Sequence, residues 1–147
     1  MRSFPALAVA AVAALLAVGP AAGVYIERPL SLAVEPAEPE DGATLTLRIG
    51  PLDEANRTAF AGRTVEVRAL DMQAEKATAW PIANVTLDGQ ASATLTWQLP
   101  PEADDRNLAI EVLHEGDLAA QAHVAVGDAE PMYFIAVSYT HLTLPTN

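Results

Sequence analysis

Between residues 43 and 126 the chain repeatedly alternates apolar and polar side chains at every second position. Successive side chains on a β-strand point to opposite faces, so this period predicts strands with one face buried. In Ala43-Thr-Leu-Thr-Leu-Arg-Ile49, Leu45, Leu47 and Ile49 oppose Thr44, Thr46 and Arg48. In Thr64 to Leu70, Val65, Val67 and Ala69 oppose Glu66 and Arg68. The run Ala91 to Leu99 places Ala91, Ala93, Leu95, Trp97 and Leu99 on one side. Asn107 to Leu113 contributes Leu108, Ile110 and Val112, and Leu118 to Val126 contributes Ala120, Ala122, Val124 and Val126. Leu30 to Val34 and Ile82 to Leu87 are weaker strands of the same kind. No stretch from Val24 to Ala136 carries an amphipathic helical stripe; residues 53–61 and 71–79 read as polar connections with room for a helical turn each.

Turn chemistry punctuates these runs: Glu40-Asp-Gly42, Ile49-Gly-Pro51, Ala61-Gly62, Asp88-Gly89, Leu99-Pro-Pro101 and Glu115-Gly-Asp117. Asp88-Gly89, between two alternating runs, predicts a hairpin, and so does His114-Glu-Gly-Asp117. Trp80-Pro81 and Phe60 fall in connections, where their rings either tuck over the core rim or dock a partner. About seven short strands in some hundred residues predict an all-β fold, a two-sheet antiparallel β-sandwich over residues 24–130 with Trp97 in its core.

The stretch Thr86-Leu-Asp-Gly-Gln-Ala-Ser-Ala-Thr-Leu-Thr-Trp-Gln-Leu-Pro100, then Leu108-Ala-Ile-Glu-Val112 and Ala122-His-Val-Ala-Val126, resembles bacterial immunoglobulin-like and macroglobulin-like domains. The resemblance spans about residues 42–127. It implies an immunoglobulin-like antiparallel β-sandwich with a binding or structural role and brings no catalytic residues with it. The immunoglobulin cysteine pair is missing, so an antibody-type domain is not implied.

Both ends read differently from the middle. Arg2, the apolar run Ala6 to Val18 and the small residues of Pro20-Ala-Ala-Gly23 predict an N-terminal signal helix, residues 1–23. The run of 13 residues is short for a bilayer span, but Phe4 to Ile26 gives 23 mostly apolar positions, so an uncleaved anchor is the second reading. After Gly127-Asp-Ala-Glu-Pro131, the apolar segment at 131–136 reads as the start of a transmembrane helix, an edge strand or the way into another domain. Val137-Ser-Tyr-Thr-His-Leu-Thr-Leu-Pro-Thr146 resembles a translated transposase sequencing adapter. Residues 137–147 are therefore expected to be a non-native tail that cuts the natural protein short, and His141 carries no functional weight.

Composition narrows the chemistry. A chain of 147 residues with 51% hydrophobic positions builds one ordinary domain. With 8 basic and 19 acidic residues, its net charge of -11 argues against nucleic acid and anionic lipid surfaces. Absence of cysteine excludes disulfides, thiolate metal sites and a cysteine nucleophile. The glycines are too scattered for a phosphate-cradling loop, and no GxSxG, HExxH or triad spacing occurs. Glu102, Asp104 and Asp105 share a loop of the oxygen chemistry calcium needs, but without EF-hand spacing they read as a solvated acidic loop. His114 is placed at a hairpin tip and His123 on an outward face, too far apart for one ion. Asn56-Arg-Thr58 and Asn84-Val-Thr86 fit the glycosylation acceptor pattern by chance.

The reading that results is an exported, acidic, non-enzymatic β-sandwich of the bacterial envelope, periplasmic or on the outer face of the cytoplasmic membrane. No catalytic, cofactor or metal residues are assigned. Its expected partner is another envelope protein, met through a sheet edge or loops. The alternative is a periplasmic metal or small-ligand carrier using the acidic loop and the histidines.

Overall fold

The computed structural model describes residues 27–75 and 78–131. The expected signal segment, nearly all of 131–136 and the adapter-like tail lie outside the described residues. Seven strands follow in order: β1 (Leu30–Glu35), β2 (Thr44–Pro51), β3 (Thr64–Asp71), β4 (Ala79–Thr86), β5 (Ala93–Gln98), β6 (Asn107–His114) and β7 (Asp117–Ala125). A short helix α1 (Glu54–Phe60) links β2 to β3, and a 3-10 turn (Pro101–Ala103) links β5 to β6.

The strands form two antiparallel sheets, β1-β2-β5 and β4-β3-β6-β7. The all-β sandwich expected from the alternation is the fold of the chain. Its fourth strand pairs with the third, whereas in the constant-type immunoglobulin order the fourth strand joins the opposite sheet.

The core is what the period selected. Leu45, Leu47 and Ile49 from β2 meet Val65, Val67 and Ala69 from β3 and Leu108, Ile110 and Val112 from β6. Burying such a side chain contributes about 1.5–3 kcal/mol. The alternation fails in β6, where all but the last residue is buried. Its outward residues lie between two neighbouring strands, and longer side chains from both sides cover them. On that face Glu111 accepts a hydrogen bond from Arg68 Nε on β3 at 3.0 Å and a longer one from Gln121 Nε2 on β7 at 3.4 Å. One partly dehydrated carboxylate thus joins three strands.

Several expectations need correction. Asp88-Gly89 is not a hairpin, because β4 and β5 belong to different sheets. The turn is built instead by the Asp88 carboxylate, which accepts from Gln90 N at 2.7 Å and Ser92 N at 3.0 Å, and Ala91 takes the left-handed conformation. Turn chemistry reports that the chain reverses, not which sheet it re-enters. Ala91 consequently lies outside β5 although it is fully buried. Gly50-Pro51 continues β2, with Ser31 and Leu30 as partners, rather than ending it in a turn. Trp80-Pro81 belongs to β4, not to a connection. The second hairpin is as expected: Glu115 and Gly116, both at positive φ, join β6 to β7.

Residues 53–61 do form a helical turn. Asp53 caps it, its Oδ1 accepting from Asn56 N at 2.9 Å. Arg57 pairs with Glu54 and also reaches across to Gln90 Oε1 at 2.7 Å, tying the helix to the β4–β5 turn. Phe60 packs against the core and meets His114 edge-on, with ring centroids 5.0 Å apart. The rim position is thus the one it takes. Among the described residues no helix is long and apolar enough to cross a membrane.

Candidate functional site

Two surface regions concentrate the chemistry of this chain, an acidic loop cluster at one end of the sandwich and the edge strand β5. In the first, three connections meet: residues 36–43 between β1 and β2, residues 99–106 between β5 and β6, and residues 127–130 after β7. Asp41 Oδ1 accepts from Asp105 N at 3.1 Å, Asp105 Oδ1 accepts from Asp128 N at 2.7 Å, and Gly127 N donates to Pro39 O at 2.8 Å. Asp105 sits at φ 55 and Gly127 at φ 60. A Cβ on Gly127 would overlap the carboxylate oxygens of both Asp41 and Asp105. Two carboxylates therefore converge on one glycine and act as caps for neighbouring loops.

Asp104 and Glu102 stay exposed beside them. Desolvation within the loop, followed by the charges of Asp41, Asp105 and Glu102, raises the Asp104 carboxyl above its ordinary value. Glu102, Asp104 and Asp105 are all exposed, as a solvated loop requires, and Asp105 in addition holds the chain after β7 in place. Asp41 and Asp128 escaped the sequence reading because they lie 64 and 23 positions from Asp105. Glu40-Asp-Gly42 signalled only a turn.

The histidines do not join this cluster. His114 ends β6, half-buried against Phe60, with Glu115 Oε2 3.8 Å from its Nε2. His123 stands on β7 opposite Ala109, five positions from His114 along β6. At a strand rise of about 3.4 Å per residue that is about 17 Å. Among the described residues no group of three or more His, Asp or Glu side chains is placed to hold a metal ion. Asn56 lies in α1 and Asn84 in β4. A shallow depression of about 370 Å³ at the β3–β4 irregularity is lined by Glu66 and Asn84 with Val67, Pro81, Ile82 and Ala83.

The second region is the free side of β5. Among the described residues four strands are sheet edges: β1, β5, β4 and β7. β1 lies against β7 and closes one side of the sandwich, whereas β4 and β5 approach each other far less. Natural edges discourage pairing with charge, proline and irregular register. β1 carries Glu35, ion-paired with Arg48 at 2.8 Å. β4 carries Pro81 and a register shift. β7 carries Asp117 and a register shift against β6. β5 has none of these devices: Ala-Thr-Leu-Thr-Trp-Gln is uncharged, lacks proline and keeps regular register with β2 over its whole length. Thr94, Thr96 and Gln98 are exposed on its outer face, while Ala93, Leu95 and Trp97 are only half-buried on its inner face. Trp97 was expected in the closed core. It lies at the open seam instead, with the ring of Trp80 6.4 Å away and tilted by 48°. An edge strand has a neighbour on one side only, so its inner side chains stay partly wet.

The class these features define is a two-sheet, all-β sandwich domain. No family model matches the chain, and no curated protein matches it. Among solved structures it is similar to the superoxide reductase (neelaredoxin) from Ignicoccus hospitalis, at 14% identity over 66% of this chain and 79% of that one, with a TM-score of 0.46. It is also similar to a β-glucosidase from Listeria innocua, at 19% identity over 71% of this chain and 17% of that one, TM-score 0.41. A GH3 β-glucosidase from Bifidobacterium adolescentis gives 20% identity, 74% and 18% coverage, and TM-score 0.41. The chain thus spans less than a fifth of either β-glucosidase. Likenesses at this level transfer no activity.

Proposed function

We propose that this chain is an exported, non-enzymatic binding or structural domain of the bacterial envelope, related to bacterial immunoglobulin-like and macroglobulin-like domains, and that it engages a protein partner along β5. The unprotected β5 edge carries this reading: an uncharged strand with free backbone groups and a half-exposed Trp97 is fitted to receive another strand. Export rests on Arg2, the Ala6 to Val18 run and the small residues before Val24. Whether the N-terminal run is cleaved or retained, the sandwich stands outside the cytoplasm. The -11 net charge favours partners with basic surfaces.

Two measurements in a bacterial host test the reading. Alkaline phosphatase, active only after export, is fused behind Pro131. A photo-crosslinking residue replaces Thr96 on β5 or, as a comparison, His123 on β7. The expected result is phosphatase activity together with protein cross-links from position 96 exceeding those from position 123. Inactive phosphatase removes the envelope assignment, and equal cross-linking removes the β5 assignment.

A further inference from the structure

We infer that the strand received by β5 is an extended peptide with apolar side chains at alternate positions and Lys or Arg residues at its N-terminal end, an assignment that rests on β5 as the docking edge. The alternation follows from the seam. A strand added beside β5 continues both faces of the sheet. Its inward side chains would lie over Leu95, Trp97 and, across the seam, Trp80 and Ile82, all partly exposed at present. Its outward side chains would stand beside Thr94, Thr96 and Gln98, which accept any small polar neighbour. Trp97 is the natural hot spot, a large ring already held on one side by Trp80.

Every described strand pair of the sandwich is antiparallel, the added strand follows that pattern beside β5, and charge then decides which of its ends is basic. β5 runs toward the acidic loops: four positions beyond Gln98 comes Glu102, then Asp104 and Asp105, with Asp41 bonded to the Asp105 backbone. The carboxylates of Asp104 and Glu102 are exposed and, among the described residues, pair with no cation. At the opposite end, the Asp88 carboxylate is engaged by Gln90 and Ser92 backbone N–H groups, and Arg57 stands by at Gln90. The two ends of the docking edge therefore differ in electrostatic demand. An antiparallel partner sets its N-terminus against the acidic end, where cations are favoured. A second copy of this chain fits poorly. Its β5 carries no cation, and two-fold pairing would bring the Asp88 turn of one copy toward the acidic loop of the other.

The full chain tests this with fluorescein-labelled Lys-Arg-Lys-Thr-Val-Thr-Val-Thr-Ile, read by fluorescence anisotropy and Trp emission. Three comparison peptides are used: one with Glu-Asp-Glu at the N-terminus, and two N-methylated on alternate residues in opposite phases. The expected pattern is binding of the basic peptide and at least roughly tenfold weaker binding of the acidic one. One methylated phase loses binding and the other keeps it, because only one set of N–H groups faces β5. Glu102→Gln with Asp104→Asn weakens the basic peptide several-fold with an unchanged far-ultraviolet spectrum. Equal binding of the basic and acidic peptides, equal binding of the two methylated phases, or no binding of any peptide overturns the inference. So does a dimer of the chain alone, cross-linked through position 96. Peptide failure alongside active phosphatase and selective cross-links at position 96 removes only the basic-strand assignment and leaves the proposed function standing.

Discussion

Single residues at the acidic end respond to pH and to volume in opposite senses. The Asp104 carboxyl is raised in the folded protein, so the fold holds its proton more tightly than the unfolded chain does. A raised acid opposes folding above its folded value, and the penalty fades as pH falls through the ordinary carboxylate range. Asp104→Asn should therefore raise Tm at about pH 7 and leave it unchanged at about pH 3, as followed by circular dichroism. Gly127→Ala works against the fold at every pH. It combines a left-handed backbone with a Cβ that meets Asp41 and Asp105. A loss of about 1–3 kcal/mol is expected in chemical denaturation. The acidic residues themselves were legible in the sequence, and Glu102, Asp104 and Asp105 were identified as one loop. Their link to Asp41 and Gly127 was not, because hydrogen bonds between distant loops leave no periodic trace.

Among the elements, β6 shows how position within a sheet changes what a sequence pattern means. Its outward Glu111 is dehydrated by its neighbours and balanced chiefly by Arg68. Removing Arg68 leaves a nearly buried carboxylate with only the long Gln121 contact. Arg68→Ala should lower stability by about 1–3 kcal/mol. Adding Glu111→Leu should recover much of that loss, since an apolar residue needs no partner there. A double-mutant cycle in urea measures both, and no recovery would show that packing of the Arg68 stem, not its charge, matters. The alternation located β2, β3, β6 and β7 to within a residue or two. It placed the start of β4 too late, because Trp80-Pro81 reads as a loop unless the strand is known to be an edge, where proline is tolerated.

As a whole molecule, the sandwich is closed on the β1–β7 side and open on the β4–β5 side. Among the described residues its hydrophobic core runs from Leu30 to Val126. A fragment spanning residues 28–131 should therefore show a β-dominated far-ultraviolet spectrum and a single cooperative thermal transition. A helical spectrum from that fragment would contradict the fold. Raising salt should also increase the Tm of the full chain modestly, because a net charge of -11 repels itself and ions screen that repulsion.

The primary structure alone determined the class of fold, the inward residues of most strands and the hairpin at Glu115-Gly116, since each of these depends on neighbours a few positions apart. Assignment of strands to sheets came from tertiary packing. Asp88-Gly89 looks the same whether β5 returns beside β4 or crosses to β2, and only the competition among all inward faces for one core decides. That decision leaves β5 as a bare, uncharged edge with Trp97 half in water beside the acidic loops.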